Sequence, residues 1–227
     1  MKDFLILVNY KTYEQSMGRR ALGITRDIEK ASREHEDVTV AVAPCAADIR
    51  LLSEKTELDI YAQHVDPVGF GGFTGCVHPS SVSDAGAKGV LINHSEDRRT
   101  LADISALVKM CREAQLATVV CTDNIDTTGS AAALCPDFVA IEPPELIGGD
   151  ISVSTARPEL VSNAAAKVGA ISPSVRLLCG AGVKNGEDVK KAAELGAKGI
   201  LLASGITKAS NPYAAMLELV SAAAEIL

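Results

Sequence analysis

The sequence predicts a single α/β domain over residues 1–227, folded as a closed (β/α)8 barrel. Three observations carry that expectation. Short apolar runs alternate with helical patterns from one end of the chain to the other, and the alternation counts to eight units. The apolar runs are nearly continuous, as strands covered on both faces must be. One segment also recurs: Gly86-Ala87-Lys88-Gly89-Val90-Leu91-Ile92 is nearly repeated as Gly196-Ala197-Lys198-Gly199-Ile200-Leu201-Leu202. Each copy passes from a glycine-capped helix end into a strand. The rival is an open doubly wound sheet, which would carry G-x-G-x-x-G after its first strand. Asn9-Tyr10-Lys11-Thr12 bears no likeness to that motif. The chain is somewhat shorter than the roughly 250 residues usual for such a barrel, so several helices must be short.

The first strand is read over residues 4–9, and behind it Met17, Ala21, Ile24, Ile28 and Ala31 fall on one helical face. The β-branched run 38–43 stops at Pro44 and is followed by a short helix to about Glu54. The third strand is placed at 59–65. After it comes a long glycine-rich loop, Asp66-Pro67-Val68-Gly69-Phe70-Gly71-Gly72-Phe73-Thr74-Gly75, and a short helix from about Pro79 to Gly86. The fourth strand, 90–92, ends at Asn93-His94, with Leu101, Ile104, Val108 and Cys111 marking the next helix. The fifth, 116–121, leads into an alanine-rich helix ending near Leu134. The sixth is Phe138–Ile141, followed by a helix over about 156–168. The seventh, 175–179, ends at Gly180-Ala181-Gly182 and precedes a helix around 186–195. The eighth, 200–203, ends at Ser204-Gly205, and the last helix carries Tyr213, Leu217, Val220 and Ala224.

Composition narrows the function. A net charge of −7 with no Lys/Arg cluster argues against nucleic acid or an anionic membrane as partner. An anionic substrate would therefore need a local site to attract it. No apolar run approaches the ~18 residues that span a bilayer. The N-terminus has an acid ahead of its short apolar run, and it reads as a strand and not a signal peptide. The six cysteines contain no C-x-x-C pair, which fits buried free thiols in a reducing cytosol and a cytoplasmic location. The four histidines lack H-x-x-x-H spacing, so nothing calls for a metal.

In a barrel the carboxyl ends of all strands converge on one face, where the chemistry is done. The polar residues at those ends are Asn9 and Lys11, Gln63 and His64, Asn93 and His94, Glu142, Gly180 to Gly182, and Ser204-Gly205. Glu142 sits at the end of a buried run. Pro143 and Pro144 stiffen the exit, and Gly148 and Gly149 loosen the far side, the pattern of a base beneath a mobile lid. An ordinary loop glutamate reads the same way. Lys11 is either a fixed charge for an oxyanion or a solvated lysine. A buried Asn9 needs partners and would orient Lys11 or donate to substrate. Ser95 is a candidate N-cap, which puts His94 at a helix N-terminus, where the dipole favours a neutral ring. A structural histidine held by backbone is the other reading. The two small-residue turns after strands seven and eight let backbone N–H groups approach a phosphate, or merely pack tightly.

Taken together, Asn9-Tyr10-Lys11, Asn93-His94-Ser95-Glu96, Ile141-Glu142-Pro143-Pro144-Glu145-Leu146-Ile147-Gly148 and Cys179-Gly180-Ala181-Gly182-Val183 resemble the triosephosphate isomerase family in its shorter archaeal form, across the whole chain. The resemblance implies a TIM barrel that interconverts dihydroxyacetone phosphate and D-glyceraldehyde 3-phosphate through an enediol, in glycolysis and gluconeogenesis, with no cofactor or metal. It implies Glu142 as base, His94 as neutral electrophile and Lys11 as the cation facing developing charge, with Asn9 beside it. Ile147 would close over the phosphate, and Gly182, Ala203 and Ser204 would hold it. Glu96 would steady Lys11. Thr74, near the tip of the glycine-rich loop, would reach a neighbouring subunit. A homodimer at least follows from the resemblance, and a tetramer from its archaeal form. One departure stands out: Gly149-Asp150 replaces the expected hydroxyl residue and glycine, which predicts a less fully closed lid. The alternatives are another barrel enzyme acting on a sugar phosphate or a non-catalytic phosphate-binding barrel. The sixth strand ends in Glu142 and not in a Schiff-base lysine, and metal-ligand residues are too few for a metal epimerase.

Overall fold

Each apolar run becomes a parallel strand. The computed structural model describes residues 4–146 and 152–227. Within them lie β1 (Leu5–Asn9), β2 (Thr39–Ala43), β3 (Asp59–Ala62), β4 (Gly89–Ile92), β5 (Ala117–Thr122), β6 (Phe138–Ile141), β7 (Arg176–Cys179) and β8 (Gly199–Leu202). They pair in sequence order, and β1 closes the ring by pairing with β8. Leu5 is the closing residue, aligned with Thr39 on one side and Gly199 on the other. The helices are α1 (Arg19–Ser32), α2 (Ile49–Lys55), α3 (Pro79–Asp84), α4 (Leu101–Glu113), α5 (Ile125–Ala132), α6 (Val153–Ala156), α7 (Pro158–Ile171), α8 (Gly186–Glu194), α9 (Ser204–Thr207) and α10 (Pro212–Ala224). The sequence-predicted (β/α)8 barrel is the observed architecture.

The core has two shells because a strand sends alternate side chains to opposite faces. Leu5, Leu7, Ala41, Ala43, Tyr61, Leu91, Val119, Cys121, Phe138, Ala140, Leu178 and Leu201 fill the barrel. The other parity, including Ile6, Val8, Val42, Val90, Val139 and Ile200, packs outward against the helices. Burial on both faces explains the continuous apolar runs. Large residues sit beside small ones inside the barrel. A Cβ at Gly89 would collide with the Tyr61 ring, and one at Gly199 would meet Leu178 Cδ2 at 2.7 Å.

Four details differ from the sequence reading. The face that α1 buries is Ala21, Thr25, Ile28 and Ala31, while Met17 is 38% exposed. Thr25 tolerates burial because its hydroxyl meets Tyr10 Oη at 2.8 Å and donates to the Ala21 carbonyl at 2.7 Å. β3 ends at Ala62, not at residue 65, since Gln63 turns its amide back to Lys11 and Ala43. The helix expected after the sixth strand is two helices. Arg157 precedes Pro158, and a pre-proline residue is pushed out of the helical region. α4 begins at Leu101, capped by Thr100 in a reciprocal box with Asp103, five residues beyond the expected Ser95 cap.

Candidate active site

The alternation that fills the barrel also aims the residues at its mouth. On β1 the inward series Leu5, Leu7 continues to Asn9, which is 5% exposed. Asn9 Oδ1 accepts the Lys11 backbone N–H at 3.0 Å. Lys11 is held with φ at 48°, a left-handed conformation that costs a non-glycine residue roughly 1–3 kcal/mol. Its carbonyl accepts from Gln63 Nε2 at 2.9 Å and from the Cys45 thiol at 3.2 Å. With the backbone fixed at both ends, Nζ is delivered to Glu96 Oε1 at 2.8 Å.

The tip of β4 breaks the alternation. Asn93 has φ of 62°, a region asparagine tolerates better than most residues. Its side chain locks the kink by donating to the Cys121 carbonyl at 2.9 Å and accepting from Arg99 N at 2.8 Å. The kink turns His94 into the mouth, where it is 7% exposed. The expected helix N-terminus at His94 is corrected to a turn closed by Asp97 N donating to the His94 carbonyl at 2.8 Å. Glu96 N donates to His94 Nδ1 at 3.2 Å, which leaves the proton on Nε2. Burial, and then the charge of Lys11, push the ring's pKa down to about 4, so it is neutral.

On β6 the inward series Phe138, Ala140 continues to Glu142, which is 4% exposed. Burial pushes its carboxyl up to about 7, opposed by a hydrogen bond from the Cys121 thiol and by the Lys11 charge. Oε2 is fully buried with no hydrogen-bond partner among the described residues, and it lies 3.8 Å from His94 Nε2. The carboxyl fits because residue 180 is glycine. A Cβ there would collide with Glu142 Cγ and stand 3.1 Å from Cδ. Buried, partnerless carboxylate oxygens are uncommon, and one beside a neutral imidazole is poised to accept a proton.

These residues line one cleft, together with Tyr13, Gly180 to Lys184 and Leu201 to Gly205. Its far end is made of the turns after β7 and β8. There Gly182 adopts φ of 71° and Ser204 opens α9. First-turn N–H groups of a helix lack intrahelical partners and face outward.

A base, a neutral donor and a cation at one end of a cleft, with small-residue backbone at the other, call for comparison with enzymes of known chemistry. A sequence profile described as "Triosephosphate isomerase" matches residues 4–223. The chain belongs to the triosephosphate isomerase family. It is 49% identical to the triosephosphate isomerase of Methanothermus fervidus over 217 residues, covering 96% of this chain and 97% of that one. It is 49% identical to that of Methanocaldococcus jannaschii (95% and 98% covered) and 51% to that of Methanosarcina acetivorans (95% and 96%). The crystal structure of triosephosphate isomerase from Bartonella henselae superposes with a TM-score of 0.75 over 97% of this chain and 99% of that one. At 18% identity that likeness speaks for the fold alone.

Asn9, Lys11, His94, Glu142, Gly182, Ala203 and Ser204 all line the cleft, and Glu96 meets it through Lys11. Thr74 does not. It lies in the exposed stretch of the loop between β3 and α3, whose base is closed by Asp66 and Val77. Ile147 and the Gly149-Asp150 pair lie outside the described residues. The sequence reading gave no role to Cys45, Cys121 or Lys184, and none to Gln63 beyond its strand tip. Cys121 was within reach of simple counting: Val119 and Cys121 are the inward residues of β5, so Cys121 is the last before the mouth. Cys45 carries no such signal, since its contact is with a backbone carbonyl supplied by another loop.

Proposed function

We propose that this protein interconverts dihydroxyacetone phosphate and D-glyceraldehyde 3-phosphate by proton transfer through an enediol. The observation that carries the reading is the convergence of the buried Glu142 Oε2 and the Nε2–H of a neutral His94 on one small space. Glu142 removes the proton from the carbon that bears the hydroxyl, next to the carbonyl. That C–H pair becomes the C=C bond as the carbonyl π pair moves to oxygen. His94 Nε2–H hydrogen-bonds to that oxygen and passes a proton between the two oxygens. Glu142 then returns its proton to the neighbouring carbon. This division of labour is the one long described for triosephosphate isomerase. Lys11 faces the developing negative charge, and Asn9 and Glu96 fix its two ends. Backbone groups of Gly182, Ala203 and Ser204 receive the phosphate. None of these steps requires a cofactor.

The same reading makes the protein a homo-oligomer. The loop tip with Thr74, Phe70 and Phe73 is exposed, with Phe70 87% exposed. Beside the reaction cleft lies a second cleft, lined by Lys11, Thr12, Tyr13, Gln63, His64 and Glu96 among others. It is suited to receive such a loop from a second copy, with two dimers forming a tetramer. Among the described residues no helix is long and apolar enough to cross a membrane. A cytoplasmic location accords with six free thiols. A coupled isomerase assay on the wild type and on Glu142→Gln tests the reading. A folded wild type without turnover would sink it.

A further inference from the structure

The two ends of the cleft carry different charges. At the end with Glu142 and His94, the charged side chain beside them is Lys11, which meets Glu96. At the other end, among the described lining residues from 180 to 184 and 201 to 205, Lys184 is the one charged side chain. We propose that Lys184 is a specificity-determining residue, whose ammonium holds the phosphate end of the substrate. The identity of that substrate rests on the isomerase reading above, but the role of Lys184 requires only a small phosphate-bearing anion.

Its placement is built and not incidental. A Cβ at Gly205 would stand 3.6 Å from the Lys184 Cα and 3.4 Å from the Val183 carbonyl oxygen. Lys184 is therefore set directly beside the first turn of α9. Its main chain is pinned on both sides. Val183 is buried at 3% exposure. The Lys184 N–H donates to Asp188 Oδ2 at 2.9 Å, and Asp188 N donates in turn to the Asn185 side chain at 3.0 Å, capping α8. The residue itself is exposed at the rim. A lysine carries a compact charge on a flexible stem, suited to an anion that arrives from solvent. The chain as a whole bears −7, which repels a dianion at long range. Backbone N–H groups supply geometry at this end but no net charge. Lys184 supplies the charge.

The test titrates inorganic phosphate against the wild type, Lys184→Met and Lys184→Arg at low and high salt, with isomerase kinetics run in parallel. Loss of one rim cation should weaken phosphate about five-fold at low salt, and the difference should shrink at high salt. KM for the triose phosphate should rise by a similar factor while kcat falls less, and Lys184→Arg should recover most of both. Phosphate affinity and KM equal to wild type in Lys184→Met would overturn the assignment while leaving the isomerase reading standing. Phosphate binding weakened by Lys184→Met in a wild type without isomerase turnover would support the assignment and sink the other reading.

Discussion

His94 Nε2 stands 3.8 Å from Glu142 Oε2, with both side chains less than a tenth exposed. That is beyond hydrogen-bond reach, so neither group satisfies the other. Both instead address the same space, and a hydroxy-ketone presents there the two neighbouring atoms they need, an acidic carbon and its carbonyl oxygen. Glu142→Gln keeps the shape and removes the base. Turnover should fall by about 10²–10⁴-fold, with phosphate binding retained. Steady-state kinetics beside a phosphate titration check this, and undiminished turnover would remove Glu142 from the mechanism.

The same pair sets a pH dependence. As the proposed base, Glu142 must be ionised in the free enzyme, and burial raises that carboxyl to about 7. His94 stays neutral down to about 4. The acid limb of kcat/KM should therefore lie near 7 with unit slope and belong to Glu142, and it should disappear from the residual activity of Glu142→Gln. Stability runs the other way. An unfolded glutamate loses its proton near 4.5, whereas the folded one holds it to about 7. Raising the pH through that window therefore destabilises the native state by up to about 3 kcal/mol, with no further loss above it. Glu142→Gln should melt higher than wild type at pH 8 and no higher at pH 4. A wild type and variant that melt alike at pH 8 would show that the carboxyl is not strained by burial.

Lys11 tests a conflict between backbone and side chain. Its left-handed φ of 48° suits glycine, yet the site uses a lysine. Lys11→Gly should be as stable as wild type or up to about 1 kcal/mol more stable. Its kcat/KM should nevertheless fall by roughly 10²-fold or more with the cation gone. Calorimetry and kinetics on the one variant read both effects. Loss of stability together with activity would mean that the Lys11–Glu96 contact is structural.

How far the sequence speaks depends on what kind of contact places a residue. The barrel was legible because burial on both strand faces writes itself as continuous apolar runs. Asn9 and Glu142 were legible as polar residues at the ends of apolar runs, and in the barrel each extends an inward series by one step, Leu5–Leu7–Asn9 and Phe138–Ala140–Glu142. His94 was legible as a polar residue at the tip of the fourth strand and does line the cleft, but the helix N-terminus expected to keep it neutral is absent. Ser95 looks like a cap, but Thr100 makes the reciprocal box with Asp103 and starts α4 there. What points the histidine inward is the left-handed Asn93, whose amide reaches the Cys121 carbonyl on β5. Contacts between loops far apart in sequence, such as Cys45 and Gln63 on the Lys11 carbonyl, leave no local pattern to read.

Gly180 isolates a steric requirement from conformational freedom, because its φ is not in the left-handed region while its missing Cβ makes room for Glu142. Gly180→Ala should fold, at a cost of about 1–3 kcal/mol for overpacking. It should displace the base and lower kcat about 100-fold. Binding of inorganic phosphate at the far end should change little. Equal turnover in Gly180→Ala would show that Glu142 works from a position away from residue 180.

The exposed loop between β3 and α3 gives the last test. Phe70 stacks on His78 with ring centroids 4.3 Å apart, and Asp66 ties the loop's base through Val77 N at 2.8 Å. The loop thus holds a shape while exposing Phe73 at 48% and Thr74 beyond it. If a second copy receives this tip, a carboxylate there loses water in a cleft whose cations, Lys11 and Arg99, are already paired with Glu96 and Asp97. Thr74→Glu should shift sedimentation equilibrium toward the monomer at micromolar concentration. Activity should fall with it, since the receiving cleft includes Lys11 and His94. Phe73→Asp should act in the same direction. A wild type that sediments as a monomer, or a Thr74→Glu variant that keeps both assembly and turnover, would leave the loop without this role.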